Sequence, residues 1–566
     1  MVPDFRRDDV WTPAFAWGTL QETSYEIIKY WHAFKKRGLN LGPAVNRYDQ
    51  IAYPGCPYVQ THPDRLATLA HLYGMTPAPI EHCRVLELGC GDGANLIPMA
   101  LQLPGSKFLG IDLAASPIRK GRQQISELGL ANIRLEEADL MEFPTRSGPF
   151  DYLIAHGLYS WVSPAGQQKI LEIVQTCLAP QGVAYISYNT MPGGHFRMML
   201  REMMQYHVRG LESPEQQVSQ GSSLIQFIAK AQIKPNSYGF LLQQEWEQRL
   251  SQRTPEALFH DELGEYNTNL YFHEFMARAA QHRLQFLAEA CFAEMHPSNF
   301  QPRVGELLQK LDDDMIAQQQ YLDFLKGRRF RQTLLCHDAV QIERNIPLER
   351  VTSLLAASSA QPSSPLSQAA LDSPIQFCGP EQSSITTAHP LMKATLLCLG
   401  ENWPLPLALE TLWEMAHARL LALGLTSSFR TRADRIDWVK TVFLCYGWGL
   451  VELHSWAPQL TLKPGDQPLV SPLARLQARE GTMVTTLCHT SVEISGALEK
   501  KLLQLLDGTR NRSMILQALE ETILSGAATL QQNGQPVHDA QKVRQSLAAE
   551  LESQLDHLAR LGLLQA

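Results

Sequence analysis

The segment between Arg84 and Leu96 constrains the fold most strongly, because a short apolar run leads directly into closely spaced glycines. Residues 85–88 predict a buried strand, and the residues after the turn predict a helix. Glycines in such a turn leave the backbone uncovered, so a ligand can lie against it near the start of the helix. We therefore predict a nucleotide-binding turn that consists of Gly89, Cys90, Gly91 and Gly93.

Glu87 distinguishes two kinds of nucleotide site. The pattern Gly89-x-Gly91-x-x-Ala94 also fits the dinucleotide fingerprint, so the glycines alone are weak evidence. Glu87 precedes the first glycine, and the spacing Glu-x-Gly-x-Gly-x-Gly resembles that of class I S-adenosylmethionine (SAM) methyltransferases. SAM is therefore the predicted cofactor, and Glu87 is part of its predicted site.

Acidic residues end the next two predicted strands. Asp112 ends the strand that begins at Lys107, and Asp139 ends the strand that begins at Ile133. A carboxylate in the first position suits the two hydroxyls of a ribose, and one in the second suits the amino group of adenine. The remaining predicted cofactor residues are Leu113, Leu140 and His156.

The later strands complete an α/β sheet of the class I methyltransferase type, which is Rossmann-like and seven-stranded. They are predicted at Phe150–His156, Gly182–Asn189, Leu284–Phe292 and Phe330–Cys336. The stretch between the fifth and sixth strands is too long for a simple connection and contains helical patterns. We therefore predict a methyltransferase domain over residues 46–340 with a helical regulatory insertion at about 211–265.

Aromatic residues follow the fourth predicted strand, at the edge of the sheet where ligands bind in such folds. Tyr159 and Trp161 suit a lysine or amine acceptor, because aromatic faces attract cations. The alternative for Trp161 is core packing against the next helix. His156 is a candidate base, with a satisfied polar residue as the alternative. The predicted catalytic residues are His156, Tyr159 and Trp161.

Two further groups are candidates for a lid or for acceptor binding. Tyr53, Tyr58, Thr61 and His62 precede the first strand, where this class often closes over its cofactor. The alternative for Thr61–Pro63 is a helix N-cap. His260 and Asp261 end the insertion, and their alternative is a polar loop between helices.

The remainder of the chain divides by composition and periodicity. Residues 1–45 are an N-terminal extension, and 341–387 are a linker rich in Ser, Pro and Ala. Residues 388–470 predict a helical, winged-helix-like domain. Residues 471–566 predict a second winged-helix-like domain, because three apolar helical stripes follow a strand.

Composition excludes several classes of protein. The net charge of −8 and the pI of 6.1 argue against a nucleic-acid partner. The 10 cysteines form no Cys-x-x-Cys pair, so we expect no metal site and a reducing, cytoplasmic location. No uninterrupted apolar stretch is long enough for a membrane span, so no stable membrane insertion is expected.

Taken together, these motifs resemble a bacterial family of SAM-dependent methyltransferases with a methyltransferase regulatory domain. The family includes protein lysine methyltransferases that modify outer-membrane proteins. The resemblance covers roughly residues 46–566 on the motif matches quoted next. It implies SAM binding by Gly89, Gly91, Asp112 and Asp139, whereas residues 1–45 depart from the family pattern. Its more specific motifs are Gln60–Leu66, His260–Leu263, Tyr271–Phe275, Gln320–Phe324, Arg329–Arg331, Ser471–Arg475 and Leu505–Arg510.

The predicted function is therefore SAM-dependent N-methylation of lysine side chains in a protein or peptide. The resemblance makes an outer-membrane protein before export one candidate acceptor. A small-molecule O- or N-methyltransferase and a non-catalytic SAM-binding regulator are the alternatives. The C-terminal domains are expected to handle the acceptor or to form a homodimer.

Overall fold

The protein is described from a computed structural model. The described residues are 47–144, 146–231, 237–297, 300, 302–311, 314–364, 373–422, 429–529, 531–532, 535–536 and 539–566. They form two compact units, of which the first contains 47–54 with 193–267 and the second contains 55–192 with 268–566. The predicted N-terminal extension, residues 1–45, lies outside the described residues.

The strands are numbered in chain order. In the second unit, β1 to β8 form the main sheet, and the later strands form small sheets nearer the C-terminus. The bounds are β1 Arg84–Leu88, β2 Lys107–Asp112, β3 Ile133–Glu137, β4 Phe150–Ala155, β5 Leu178–Thr190, β6 Asn269–Leu270, β7 Leu284–Glu289, β8 Phe330–His337, β9 Leu355–Ala357, β10 Gln361–Pro362, β11 Ile375–Cys378, β12 Ser384–Thr387, β13 Leu407–Ala408, β14 Glu452–His454, β15 Met483–Thr485, β16 Ser491–Glu493, β17 Gln531–Gln532 and β18 Gln535–Pro536.

The α-helices are numbered in the same way. Their bounds are α1 Arg47–Gln50, α2 Pro63–Leu72, α3 Leu96–Gln102, α4 Ala115–Leu128, α5 Pro164–Cys177, α6 Gly194–Val208, α7 Pro214–Ala231, α8 Tyr238–Glu245, α9 Pro255–Leu263, α10 Phe272–Gln281, α11 Pro302–Gln309, α12 Met315–Lys326, α13 Leu348–Thr352, α14 Pro390–Asn402, α15 Leu409–Ala422, α16 Arg432–Gly447, α17 Pro472–Glu480, α18 Ala497–Leu505, α19 Arg512–Leu524 and α20 Ala540–Arg560.

The main sheet has the strand order β3-β2-β1-β4-β5-β8-β7, and β6 pairs with β5 beside this path. The strands from β3 to β5 are parallel, whereas β8 runs antiparallel to both of its neighbours. The order reverses between β1 and β4, and a crevice for ligands opens at the carboxyl ends of the strands there. The predicted fold class, a class I methyltransferase sheet followed by a C-terminal winged helix domain, is confirmed, whereas the winged-helix-like character of residues 388–470 stays a prediction.

A buried arginine joins β8 to the helix before it. Arg331 is 1% exposed, and its guanidinium donates to both carboxylate oxygens of Asp323 at 2.9 and 2.8 Å and to Glu289 at 2.5 Å. It also lies 3.8 Å from the ring centroid of Phe272. Removing one partner from such a buried network would leave an uncompensated charge, which is strongly destabilising. Part of the family-specific sequence around residues 320–331 is thus explained by folding.

The first unit is a small helical cluster with a core of its own. α6, α7 and α9 pack around residues such as Met204, Ile225 and Phe259. Within the stretch predicted as a helical insertion, 211–265, residues 214–231 are rich in Gln and Ser. The structure places α7 there, because small and apolar residues recur on the face that packs against α6.

The residues predicted as a linker contain regular structure. β9 lies between β13 and β14 in a three-stranded antiparallel sheet, and Ala356 is fully buried. β10, β11 and β12 form a second small sheet. The helices α14 and α15 pack with the first of these sheets, and α16 packs against α14, so this domain draws its central strand from before residue 388.

The C-terminal domain has a separate apolar core. α17 to α20 supply it, and the leucine stripe along α20 includes Leu547, Leu551 and Leu555. The hairpin of β15 and β16 packs beside α17. The apolar stripes in the sequence predict α18, α19 and α20, because their apolar residues recur at helical spacing.

A buried ionic network joins α2 to β14. His454 Nδ1 lies 2.7 Å from Asp64 Oδ2, and Asp64 also accepts hydrogen bonds from the backbone of Ser455 and Trp456 at 2.8 and 2.9 Å. His454 Nε2 lies 3.5 Å from Glu452. Burial acts to lower the pKa of His454, but the neighbouring Asp64 and Glu452 raise it to about 9. The methyltransferase domain and the domain after it are therefore held together by a charged imidazole.

This network predicts a loss of stability at high pH. The folded pKa of His454 exceeds its ordinary value of 6.5, so its contribution is complete below pH 6.5 and is lost as the pH rises through about 9. Over that range, the free energy of unfolding should fall by about 2–3 kcal/mol more in the wild type than in His454→Gln. Urea unfolding at a series of pH values measures this difference. The exposed His557→Gln is the control, and parallel profiles for wild type and His454→Gln would contradict the prediction.

Candidate functional site

The turn after β1 has the backbone that its glycines allow. Gly89, Gly91 and Gly93 have φ angles of +74°, +55° and +77°, which favour glycine over residues with a Cβ. The amides of Gly89 and Cys90 both donate to the carbonyl of Ile111, at 2.8 and 3.1 Å. These bonds fix the turn against the end of β2.

The glycines of the site differ in what surrounds them. A Cβ at Gly93 would lie 2.7 Å from Leu135 Cδ1, and one at Gly89 would lie 3.0 Å from Leu158. At Gly91 and at Gly157, which follows β4, a Cβ would have no atom of the described residues within 4 Å. Gly89 and Gly93 thus serve packing, whereas Gly91 and Gly157 border open space at the carboxyl edge of the sheet.

The Asp112 carboxylate accepts hydrogen bonds from two backbone amides, one in the glycine-rich turn and one just after β2. Its Oδ2 accepts from the Gly91 amide at 2.9 Å, and its Oδ1 accepts from the Ala114 amide at 2.8 Å. The carboxylate is therefore held in a fixed orientation beside the turn. Leu113, the next residue, is 59% exposed although it is apolar, which leaves its side chain available to a ligand.

Asp139 follows β3 and has a local role. Its Oδ1 accepts a hydrogen bond from the Met141 amide at 2.8 Å and so caps the short 3-10 helix Leu140–Glu142. An N-cap uses one carboxylate oxygen and leaves acceptor capacity on the other. The roles predicted for Asp139 and Leu140 in cofactor binding stay predictions.

Glu87 is buried at the end of β1, beneath the turn. Its Oε1 accepts from Asn95 Nδ2 at 2.8 Å, whereas Oε2 finds no hydrogen-bond partner among the described residues. Burial raises the pKa of Glu87 to about 8, and the nearby carboxylates of Asp112 and Asp92 add to the effect. A buried carboxyl oxygen without a partner is costly, so this atom is suited to meet a polar ligand group.

The residues before β1 lie in the second unit from Gly55 onward. Thr61 and His62 are buried, at 0% and 5% exposure, and the His62 ring accepts from the Asp64 amide at 3.2 Å. His62 therefore caps α2, which was the alternative to a lid, and burial lowers its pKa to about 4. Tyr58 is half-buried, and its ring centroid lies 3.8 Å from that of His156.

His156 follows β4 and is held by polar neighbours. Its Nδ1 lies 2.9 Å from the Tyr185 hydroxyl and 3.3 Å from Ser187 Oγ. Burial lowers its pKa to about 4, so the ring is neutral near pH 7. Phe330 at the start of β8 is 40% exposed, and its ring centroid lies 6.4 Å from that of His156. A neutral imidazole thus lies between two aromatic rings at the crevice edge.

The two aromatic residues predicted for the acceptor lie in different environments. Tyr159 is fully buried, and its ring packs edge-on against Phe275 and Tyr188 with centroids 5.3 and 6.2 Å away. Tyr159 is therefore a core residue in this structure, because its ring has no surface open to an acceptor. Trp161 is half-buried, and its predicted role stays a prediction.

Tyr53, His260 and Asp261 all belong to the first unit. His260 Nε2 lies 2.7 Å from the Ile51 carbonyl, and its ring lies 5.8 Å from that of Tyr53. Asp261 forms an ion pair with Arg197 at 3.5 Å. The alternative of a polar loop was wrong, because both residues lie on α9 and are buried. Their proposed acceptor role stays a prediction.

Sequence reasoning missed two residues that the structure brings to the turn. Asn95 and His489 meet at 2.9 Å although they are 394 residues apart, and both are buried. Asn95 could have been noticed as the polar residue that ends the glycine pattern. No local signal marks His489. Within the described ranges, no group of three or more His, Cys, Asp or Glu side chains is arranged to hold a metal ion.

Three sequence families match consecutive parts of the chain. Residues 85–182 match a family described as "Methyltransferase domain". Residues 254–337 match "Predicted methyltransferase regulatory domain", which begins inside the predicted insertion and extends through β8. Residues 466–563 match "PKMT, C-terminal winged helix domain".

Relatives cover almost the whole chain. The uncharacterized protein RP789 of Rickettsia prowazekii is 32% identical over 527 residues, which are 92% of this chain and 94% of the relative. The structure of PKMT2 from Rickettsia typhi is similar at 29% identity with a TM-score of 0.81, and the match covers 90% of this chain and 100% of that one. The complex of PKMT2 with AdoHcy matches with the same score.

The fold, the turn and these matches define the chain as a SAM-dependent methyltransferase. It belongs to the family that combines a methyltransferase domain, a methyltransferase regulatory domain and a PKMT-type C-terminal winged helix domain. The resemblance found in the sequence and the predicted cofactor are thereby confirmed. No helix among the described residues is both long and apolar enough to cross a membrane.

The site fits the cofactor on features of its own. Open space beside Gly91 and Gly157, the fixed carboxylate of Asp112 and the unpartnered Glu87 Oε2 lie around the carboxyl ends of β1, β2 and β4. Carboxylate oxygens suit the hydroxyl and amino groups that SAM presents. We assign Glu87, Gly91, Asp112 and Gly157 as the residues that would hold it.

The contrast between the glycines gives a matched pair of variants. Both variants strain the backbone, because a β-branched residue is disfavoured at a φ of +55° or +77°. Gly91→Val should abolish detectable SAM binding by filling the crevice, since its Cβ meets no atom of the described residues within 4 Å. Gly93→Val should lower the melting temperature further than Gly91→Val, because its Cβ would also collide with Leu135. Calorimetric SAM titration and thermal unfolding measure the two effects. Unchanged SAM affinity in Gly91→Val would contradict the assignment of the open space to the cofactor.

Proposed function

We propose that the protein transfers a methyl group from SAM to the side-chain amine of lysine in a protein acceptor. The observation that carries this proposal is the match to PKMT2 over 90% of the chain, which includes the C-terminal winged helix domain. A methyltransferase that acts on small molecules needs only the crevice. The retention of the regulatory and winged-helix domains together therefore supports an acceptor that is itself a protein or peptide.

Bound SAM supplies a methyl group that is activated by its positive sulfonium sulfur. The acceptor amine attacks only in its neutral form, so the site must accept lysine and favour loss of its proton. A dedicated base is not obligatory, because the proton can leave to solvent before attack. What the chain has to supply is orientation and an environment with little water.

His156 contributes to this environment by remaining uncharged. A positive imidazolium at the end of β4 would repel both the sulfonium and the product ammonium, and the pKa of about 4 prevents this charge near pH 7. The adjacent Tyr58 and Phe330 rings supply aromatic faces, which attract a cationic side chain. Together with Trp161, these residues are the acceptor wall that we propose, whereas Tyr159 supports the wall from the core.

The remote domains give a protein acceptor additional surface to bind. Binding energy from such contacts can be used to align the reacting lysine with the methyl group. An outer-membrane protein before export is one acceptor that fits this arrangement. A homodimer stays a prediction for the tail.

Methyl transfer in a bacterial extract tests the proposal directly. The protein is incubated with SAM carrying a labelled methyl group, and the extract is separated into macromolecules and metabolites. We expect label in protein, recovered as methyl-lysine after acid hydrolysis, and none with Gly91→Val. Label confined to metabolites would indicate the small-molecule alternative. An absence of transfer with intact SAM binding would indicate a non-catalytic regulator.

Trp161→Ala then separates the acceptor wall from the cofactor site in the same assay. It should slow transfer to protein while SAM affinity changes little.

A further inference from the structure

The winged-helix domain presents one histidine at the tip of its β15–β16 hairpin. The Thr486 amide donates to the Thr490 carbonyl at 2.8 Å, and the hydroxyls of the same two residues lie 2.8 Å apart. The turn that they close holds His489 at a φ of +57°, a conformation that is unfavourable for residues other than glycine. Strained conformations of this kind persist only where the surroundings enforce them.

His489 is 2% exposed and reaches the methyltransferase domain. Its Nε2 lies 2.9 Å from Asn95 Oδ1, and no partner of Nδ1 is found among the described residues. Asn95 Nδ2 already donates to Glu87 and to the Thr61 hydroxyl, at 2.8 and 3.0 Å, so Oδ1 is the acceptor. His489 therefore carries its proton on Nε2 and donates it to Asn95.

The hydrogen bonds of the Asn95 side-chain amide connect His489 to Glu87 beneath the cofactor turn. Asn95 directly precedes α3, and its Oδ1 also accepts from the Tyr58 amide at 3.0 Å. With both donors in place, the amide cannot flip, and Nδ2 must point to Glu87 Oε1. Glu87 Oε2 is then the oxygen left for a ligand.

We propose that His489 is a positioning residue for SAM: through Asn95 and Glu87, the winged-helix domain holds the cofactor turn in its binding conformation. The contact has a fixed direction, because Asn95 Oδ1 can only accept and the Tyr58 amide, which also donates to it, holds it in the orientation that serves Glu87. The winged-helix domain thereby acts on cofactor affinity in addition to the acceptor role proposed above. This inference depends on the SAM site and not on the identity of the acceptor.

The strained backbone permits a clean test. His489→Gly removes the donor and suits the positive φ, so it adds no backbone strain to the hairpin. His489→Gln places an amide N–H where Nε2 lies and should restore the bond to Asn95. Arg479→Ala is the control, because Arg479 forms an exposed contact of 3.8 Å with Glu127 and links the same two domains elsewhere.

SAM affinity is measured by calorimetry with the full chain, and the melting temperature is measured without ligand. His489→Gly should weaken SAM binding about tenfold, the effect of losing one buried hydrogen bond, and should also lower the melting temperature because the buried imidazole leaves a cavity. His489→Gln should lie within about twofold of wild type, and Arg479→Ala should have no effect on affinity.

Two results would overturn the proposal. One is wild-type SAM affinity in His489→Gly. The other is a loss of affinity that comes from general domain packing. That cause is indicated if the loss appears equally in Arg479→Ala, or if it accompanies a lowered melting temperature in His489→Gly and is not restored in His489→Gln. Because the probe is SAM alone, failure of the lysine proposal would leave this test unaffected.

Discussion

The side chain of Asn95 is the point on which the cofactor site depends. One planar amide connects the segment before β1, the acid that ends β1 and the hairpin of the winged-helix domain, through Tyr58, Glu87 and His489. All of these contacts are buried or partly buried, where a hydrogen bond is strong and an unpaired polar group is costly. The glycine-rich turn is therefore held by residues from two distant parts of the chain, Tyr58 and His489. Its own glycines already allow a backbone conformation that can bind a nucleotide.

Charge in the second unit follows the same logic. Ionised groups are buried where they have full sets of partners, as Arg331 has between Asp323 and Glu289, or as His454 has beside Asp64. At the crevice, by contrast, burial favours uncharged forms of Glu87 and His156. The neutral imidazole of His156 thus adds no positive charge near a sulfonium and a lysine, whereas the buried ion pairs lie in the joints between elements.

The parts of the fold that sequence reasoning recovered are those specified locally. Short apolar runs, the glycine spacing and the acids at strand ends act over a few positions, so the succession of β1 to β5 along the chain and the cofactor class followed from them. The leucine stripe of α20 did so as well. Thr61–Pro63 left a cap and a lid equally open, because a Thr-His-Pro sequence fits both, and burial of His62 in the folded protein favours the cap.

The remaining features depend on contacts between distant residues. No pattern near Tyr159 indicates that Phe275 and Tyr188 cover its ring, and none near His489 indicates Asn95. β9 lies in a stretch whose composition is typical of a linker, and its two partner strands are both more than 40 residues later in the chain. A polar residue such as Asp261 is typical of a loop when only the sequence around it is considered, and its ion pair with Arg197 exists only in the folded protein.

A double-mutant cycle on SAM affinity tests the central role of Asn95 most directly. The affinity is measured for wild type, His489→Gly, Asn95→Ala and the double variant. If His489 acts through Asn95, the double variant loses no more affinity than Asn95→Ala alone, which gives an interaction energy of about 1.4 kcal/mol, the whole tenfold effect of His489→Gly. Losses that add to within about 0.5 kcal/mol would show that the two residues act independently, and would contradict the account.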